Sequence, residues 1–204
     1  MRETEVTRKT NETDITLRLG LPDLTRDGVV GIIDETARVM EIYTGVPFFD
    51  HMLHAMFFHG GFSVDLRAVG DVEIDDHHTV EDVGIVIGTA LREAVELHGP
   101  VRRFGHSVVP MDDALGEVVI DAGGRSYLVY QATYPQDRAG RFDLSLVREF
   151  FQGLSSQGRI NMHVLGRYGD NGHHLAEALF KAAGRALGSA FLPRETVAST
   201  KGVL

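Results

Sequence analysis

The sequence has no cysteine, no membrane-length apolar run, very little lysine and an excess of negative charge, and each shortage removes a class of function. Without cysteine there are no disulfides and no thiolate ligands, so a bound metal must be held by nitrogen and oxygen. No apolar run approaches the roughly 20 residues of a membrane span, and the first residues lack the apolar core of a signal peptide. A cytoplasmic location is the expectation by default. The net charge of −9 argues against broad nucleic-acid binding. It still permits an anionic substrate, because a few converging basic side chains suffice for one phosphate. Of the 20 basic residues only Lys9, Lys181 and Lys201 are lysine. That arginine bias suits bidentate oxyanion recognition, although genomic composition would produce it equally. With 204 residues, 43% hydrophobic and 24% charged, the chain can bury a real core.

Against this background one pattern occurs twice. Residues 75–82 read Asp-Asp-His-His-Thr-Val-Glu-Asp, and residues 171–178 read Asn-Gly-His-His-Leu-Ala-Glu-Ala. Each opens an apolar-periodic segment, with Asp75 and Asn171 placed to cap a helix. On a helix His77 and Glu81 share a face, as do His173 and Glu177, while the second histidine of each pair points about 100° away. One doublet can therefore address two metal ions. The start of a helix also disfavours imidazolium, keeping the rings neutral and able to ligate. A single His-His pair is ordinary surface polarity, but two copies at identical spacing point to metal.

The order of elements also repeats. Residues 5–19 alternate like one strand or two, interrupted near Asn11; Leu21–Gly28 carries turn residues; Val29–Ile33 and Arg38–Tyr43 read as strands. Pro47–His59 reads as a short helix and Phe62–Val69 as a strand. A helix over about 77–97 follows, burying Val80, Val83, Ile87, Leu91 and Val95. A shift of 96 residues superposes His77 on His173 and Glu81 on Glu177, and sets Arg67 on His163. The expectation is an α+β fold of two duplicated halves, about 1–98 and 99–204, forming one catalytic domain with strands in sheets and helices on one face.

The doublets offer six ligand candidates: His77, His78, Glu81, His173, His174 and Glu177. His51, in the stretch Phe48-Phe49-Asp50-His51-Met52-Leu53-His54, and His163 bring the number to eight, enough for two ions with three histidines and one glutamate each. Ligand type alone leaves Mn, Fe, Co, Ni and Zn open. His54, His59, His98 and His106 read as helix-face or loop polarity.

The chain closely resembles the imidazoleglycerol-phosphate dehydratase family. The likeness runs through Arg8-Lys9-Thr10-Asn11-Glu12-Thr13, Phe48 to Leu53, His59-Gly60-Gly61-Phe62, Asp75 to Asp82, and Arg103-Phe104-Gly105. It continues through Pro110 to Leu115, Asn171 to Ala178, Phe180-Lys181-Ala182 and Ser199-Thr200-Lys201-Gly202. Gly123, Ser126 and Ala198 depart from the family's habit of Ser, Pro and Pro. The resemblance implies removal of water from D-erythro-imidazole-glycerol phosphate to give imidazole-acetol phosphate, a step of histidine biosynthesis. It implies two manganese ions per active site, halves like the second domain of ribosomal protein S5, and an assembly of twenty-four chains with sites between subunits. Carried across, His77, Glu81, His163 and His173 hold one ion, and His51, His78, His174 and Glu177 the other. Catalytic roles fall on Glu12, His78 and Glu177, with Glu12 the candidate for proton transfer beside a metal-bound water. Substrate and phosphate contacts fall on Glu12, Arg103, Arg125, Ser199, Thr200 and Lys201. The implied chemistry passes through a ring imidazolate bridging both ions and a diazafulvene-like intermediate.

Two other readings remain at this level: a metal-dependent hydrolase, which would release phosphate or amine, and an assembly protein stapled by metal.

Overall fold

The computed structural model describes residues 2–24, 30–31 and 38–196. The first half contains β1 (Glu3–Lys9), β2 (Thr13–Gly20), the short β3 (Asp23–Leu24) and β4 (Val30–Gly31), and β5 (Met40–Tyr43). It continues with α1 (Pro47–Gly60), β6 (Ser63–Gly70) and α2 (His77–His98). The second half contains β7 (Phe104–Met111), β8 (Ala114–Asp121), β9 (Tyr127–Gln131), and the short β10 (Arg138–Ala139) and β11 (Phe142–Asp143). Then come α3 (Leu146–Gly158), β12 (Asn161–Tyr168) and α4 (Gly172–Ala190). The expected interruption near Asn11 is the β1–β2 hairpin turn. Of the expected strand over Val29–Ile33, Val30 and Gly31 are strand and the rest lies outside the described residues, while the one expected over Arg38–Tyr43 begins at Met40.

Each half forms one four-stranded sheet, ordered β1-β2-β6-β5 and β7-β8-β12-β9, antiparallel except for the parallel β5–β6 and β12–β9 pairs. Both are mixed sheets with one dry face. In β2 the side chains of Ile15, Leu17 and Leu19 are fully buried while Asp14, Thr16 and Arg18 point outward. In β12 Met162 and Val164 are buried and His163 is exposed. That two-residue period leaves an inner apolar face on each sheet which must be covered. The helices cover it: α2 lies on β1 and β2, α4 lies on β7 and β8, and the two layers meet as α1 on α4 and α2 on α3. The result is a helical layer between two sheets, with one continuous core drawn from both halves.

The helix pairs meet at backbone distance. A Cβ built on Gly88 of α2 would lie 2.5 Å from the Leu154 carbonyl oxygen of α3, and one on Gly84 would strike the Phe150 carbonyl. In the other pair Gly184 faces Met56 and Gly188 faces Gly60. Residue numbers rise together across each contact, so the paired helices run parallel. Phe150 packs edge-on against Phe49 at 5.3 Å, joining the first turns of α1 and α3, and stacks on Phe180 in the middle of α4 at 5.2 Å. All four helices therefore start at the same end of the molecule.

The duplication is real, but its offset is not uniform. The β1–β2 register (Glu3 opposite Gly20) matches the β7–β8 register (Phe104 opposite Asp121) at an offset of 101. Ser63 opposite Gly20 matches Asn161 opposite Asp121 only if β6 and β12 are 98 apart, and beyond a bulge in β12 Val69 opposite Asp14 matches Tyr168 opposite Leu115 at 99. The doublets are 96 apart, and the loop from β12 to α4, residues 169–171, is three residues shorter than the loop from β6 to α2, residues 71–76. The structural counterpart of His163 is thus Asp65 rather than Arg67. The gapless shift preserved the face of the strand, since both offsets are even, but not the position along it.

Candidate functional site

The doublets begin their helices as expected, with one difference in the caps. Asn171 is the N-cap of α4, its Oδ1 accepting the N–H of His173 at 2.9 Å and of His174 at 3.4 Å. In α2 the N-cap is Asp76, whose side chain makes no capping bond; Asp75, one residue earlier, accepts the His77 N–H at 2.8 Å. The expected capping bond forms, but from a residue outside the helix.

At this end three side chains converge. His51, in the first turns of α1, and His173 and Glu177, one turn apart on α4, place their ligand atoms within 4.8 Å of one another. His173 Nε2 is 3.3 Å and His51 Nε2 is 3.5 Å from Glu177 Oε2. Donors bound side by side at about 2.1 Å from one ion lie roughly 3.0–3.4 Å apart, so both distances to Glu177 Oε2 fit a cation held by nitrogen and oxygen after a small closing movement. Glu177 is buried, which by itself would raise its pKa. Lys181 Nζ, 2.7 Å from Oε1 one turn along α4, together with His51 and His173 outweighs burial and holds the carboxyl below its ordinary value. The Phe48 ring packs edge-on against His173 at 5.1 Å. Beside it lies a cavity of about 350 Å³ lined by Val46, Phe48, Asp76, Arg141, Phe142 and His173. Asp76 adjoins the first doublet, so residues from both halves border one opening.

The other candidates are held separately. His77 and Glu81 form a pair on α2, Nε2 to Oε2 3.8 Å. His78 turns its Nδ1 to the Asp71 carboxylate (3.0 and 3.2 Å) and its Nε2 toward Glu12, 3.8 Å away in the β1–β2 turn. His174 turns its Nδ1 to Asp113 at 2.5 Å. These carboxylate bonds raise the pKa of His78 and of His174, the reverse of what a helix N-terminus alone implies. A full negative charge in direct contact outweighs the half-charge of a helix end. His163 lies on the outer face of its sheet, opposite Val119 and Val129 and away from the helices. The converging trio cuts across the two implied ligand sets, taking His173 from one and His51 and Glu177 from the other.

Arg103 and Arg125, two of the expected phosphate contacts, sit at the opposite end. Arg103, just after α4's C-terminus in space, bonds through its backbone N–H to the Ala190 carbonyl at 2.9 Å. Its guanidinium grips Asp121 with Nε–Oδ1 2.6 Å and Nη2–Oδ2 3.0 Å. Arg125 lines a cavity of about 250 Å³ with Asp121, Gly123, Ser126, Tyr127 and Asn161. A Cβ on Gly123 would come within 2.8 Å of the Arg103 guanidinium, so this departure from the family habit makes room for the Arg103–Asp121 pair. Ser199, Thr200 and Lys201 lie outside the described residues. The 19-residue α4 separates the two ends by about 27 Å.

Asp71, Asp113 and Lys181 carry no role in the sequence reading. Only Lys181 had a local signal, its i,i+4 spacing from Glu177. Replacing it (Lys181→Met) strands a largely buried carboxylate and is expected to cost about 1–3 kcal/mol at pH 7. The sign with pH follows from the lowered Glu177 pKa. The pair's stabilisation is present above the ordinary carboxylate range and lost as pH falls through the folded value, so the gap between variant and parent should narrow by pH 4. Urea unfolding at both pH values measures this.

A family model described as imidazoleglycerol-phosphate dehydratase matches residues 44–187. A relative of that name from Methanosphaerula palustris is 47% identical over 209 aligned positions, spanning 100% of both chains. Another from Shouchella clausii is 44% identical over 206 positions, with 100% of this chain and 99% of the relative covered. Among solved structures, imidazoleglycerol-phosphate dehydratase of Pyrococcus furiosus in complex with (S)-C348 superposes with TM-score 0.81 at 37% identity, covering 98% of this chain and 100% of that one. The Staphylococcus aureus enzyme superposes with TM-score 0.79 at 35% identity, covering 94% and 99%.

Proposed function

The chain belongs to the imidazoleglycerol-phosphate dehydratase family, and from that premise we propose how its own residues carry out the dehydration. The activity is that of a lyase of histidine biosynthesis, removing water from imidazole-glycerol phosphate. The observation that carries the mechanistic reading is the convergence of His51, His173 and Glu177 at the end where all four helices begin. In this reading the trio holds one of two manganese ions, with His173 taking the place that the resemblance gave to His174 in the set of His51 and Glu177. His77 and Glu81 begin the second set, which His174 and His163 complete. Two divalent cations, when bound, lower the pKa of a ring N–H and offset the charge of the ring that remains.

The chain's own groups do the rest. His78, oriented by Asp71, presents Nε2 at the reacting end. Glu12, half-exposed and 3.8 Å from that nitrogen, takes the proton from the substrate carbon. Arg103 and Arg125 fork onto phosphate oxygens, joined by Ser199, Thr200 and Lys201. The substrate spans less than about 10 Å from ring to phosphate, far short of the distance between the two ends of one chain. A second copy must therefore supply one end, and His163 reaches a metal in the same way. The site lies between subunits of a homo-oligomer, for which the resemblance gives twenty-four chains, in the cytoplasm.

Glu12→Gln tests the reading. Turnover should fall by about 10²–10⁴-fold, the usual contribution of a positioned acid or base, with metal content and assembly unchanged. Unchanged turnover would remove Glu12 from the chemistry. Turnover measured after chelation and re-addition of single metals, with inorganic phosphate followed in parallel, separates dehydration from hydrolysis.

A further inference from the structure

The register of the two hairpins carries an assignment that the doublets alone do not suggest. At the offset of 101, Thr10-Asn11-Glu12-Thr13 superposes without a gap on Met111-Asp112-Asp113-Ala114, so Glu12 and Asp113 are the same position of the repeated half. Both hang over the second histidine of their own doublet. Their geometry differs. Glu12 stays 3.8 Å from His78, whose Nδ1 is already occupied by Asp71 from the β6–α2 loop. The β12–α4 loop is three residues shorter, and once the β12 bulge is counted the position matching Asp71 is Asp170, whose backbone N–H turns to Asp113. There Asp113 takes the ring nitrogen instead, with Oδ1 on His174 Nδ1 at 2.5 Å. Its Oδ2 accepts the backbone N–H groups of Asp170 (2.6 Å) and Asn171 (2.9 Å).

We propose that Asp113 is a positioning residue that keeps the His174 proton on Nδ1 and so presents the Nε2 lone pair to a metal, the task that Asp71 performs for His78. Asp113 is thereby committed to holding a ring, while its neighbour Asp112, with Oδ2 3.7 Å from His174 Nε2, stands where Glu12 stands at His78. A neutral imidazole has one protonated nitrogen, so whichever ring nitrogen donates to a carboxylate fixes the other as acceptor. Ring partners of this kind orient metal-binding histidines and set their basicity.

The inference rests on His174 being a ligand, as in the proposed function, and its test separates the two. Asp113→Asn keeps an oxygen for the Asp170 and Asn171 N–H groups and turns its amide toward His174, donating where the carboxylate accepted. His174 is then driven to carry its proton on Nε2. Manganese affinity, titrated by electron paramagnetic resonance on the full chain stripped by chelation, should fall about 10–100-fold. The thermal midpoint of the stripped protein should hold. The ring 15N shifts of His174 should show the proton moving from Nδ1 to Nε2. If His174→Ala weakens binding but Asp113→Asn does not, the positioning role is overturned while the ligand remains. If His174→Ala itself leaves affinity intact, the ligand assignment beneath it fails. The 15N spectrum of the unsubstituted chain decides the matter without any variant, since a proton found on Nε2 of His174 overturns the proposal.

Discussion

Replacing His173 by alanine is expected to abolish measurable turnover and to weaken manganese binding by more than about 100-fold. Loss of a group that merely orients a ligand costs roughly 10–100-fold, so loss of the ligand itself must exceed that. The trio tolerates no such gap, because His51 Nε2 and Glu177 Oε2 would remain as a two-donor site 3.5 Å apart. Stability should hardly change. The His173 ring is partly exposed and touches Phe48 only edge-on, and its backbone N–H is capped by Asn171 whatever side chain it bears. Metal content after dialysis, read beside a melting curve, checks both halves of the statement. A His173→Ala protein that retains full metal would move the centre elsewhere.

The second large effect concerns the fold. Gly88→Val is expected to destabilise the protein by more than about 2 kcal/mol, and Gly88→Ala by about 1–2. Two terms oppose each other. Alanine in a helix interior is better than glycine by about 1 kcal/mol. Forced overpacking costs about 1–3 kcal/mol, and more where the neighbour cannot move. At Gly88 the neighbours are backbone: the Leu154 carbonyl at 2.5 Å and the Gly158 nitrogen at 2.7 Å from the new Cβ. A flexible side chain would swing aside, but α3 can only shift as a body, so the steric term wins. For a chain of this length 2 kcal/mol corresponds to a fall of roughly 4–8 °C in Tm. A Gly88→Ala variant as stable as the parent would show that α2 and α3 part easily.

Much of this architecture is legible in local pattern. The alternation of Ile15, Leu17 and Leu19 marks β2, and the spacing of Val80, Val83, Ile87 and Leu91 marks the buried stripe of α2, because a strand repeats every two residues and a helix every 3.6. The doublets were legible for the same reason. What no local pattern carries is distance across the fold. Asp113 reaches His174 from 61 positions away, and nothing near either residue marks the pairing. The uniform shift of 96 hid the β12–α4 shortening, because three residues are lost in a loop where no apolar period records them. The cap at Asp76 rather than Asp75 is of the same kind, since either acid satisfies the residue preference and only backbone geometry separates them. The separation of Arg103 and Arg125 from the doublets is a matter of chain direction. A strand that feeds straight into a helix puts its start and that helix's start at opposite ends.

That direction, shared by four helices, turns a chain into an object with a head and a tail. If heads bind cations and tails bind phosphate, a solitary chain owns two half-sites and no whole one. Copies must then sit head beside tail, either as antiparallel neighbours that share two centres or as successive members of a closed ring. Catalytic rate per chain should consequently collapse on dilution, at the concentration where the neighbours part.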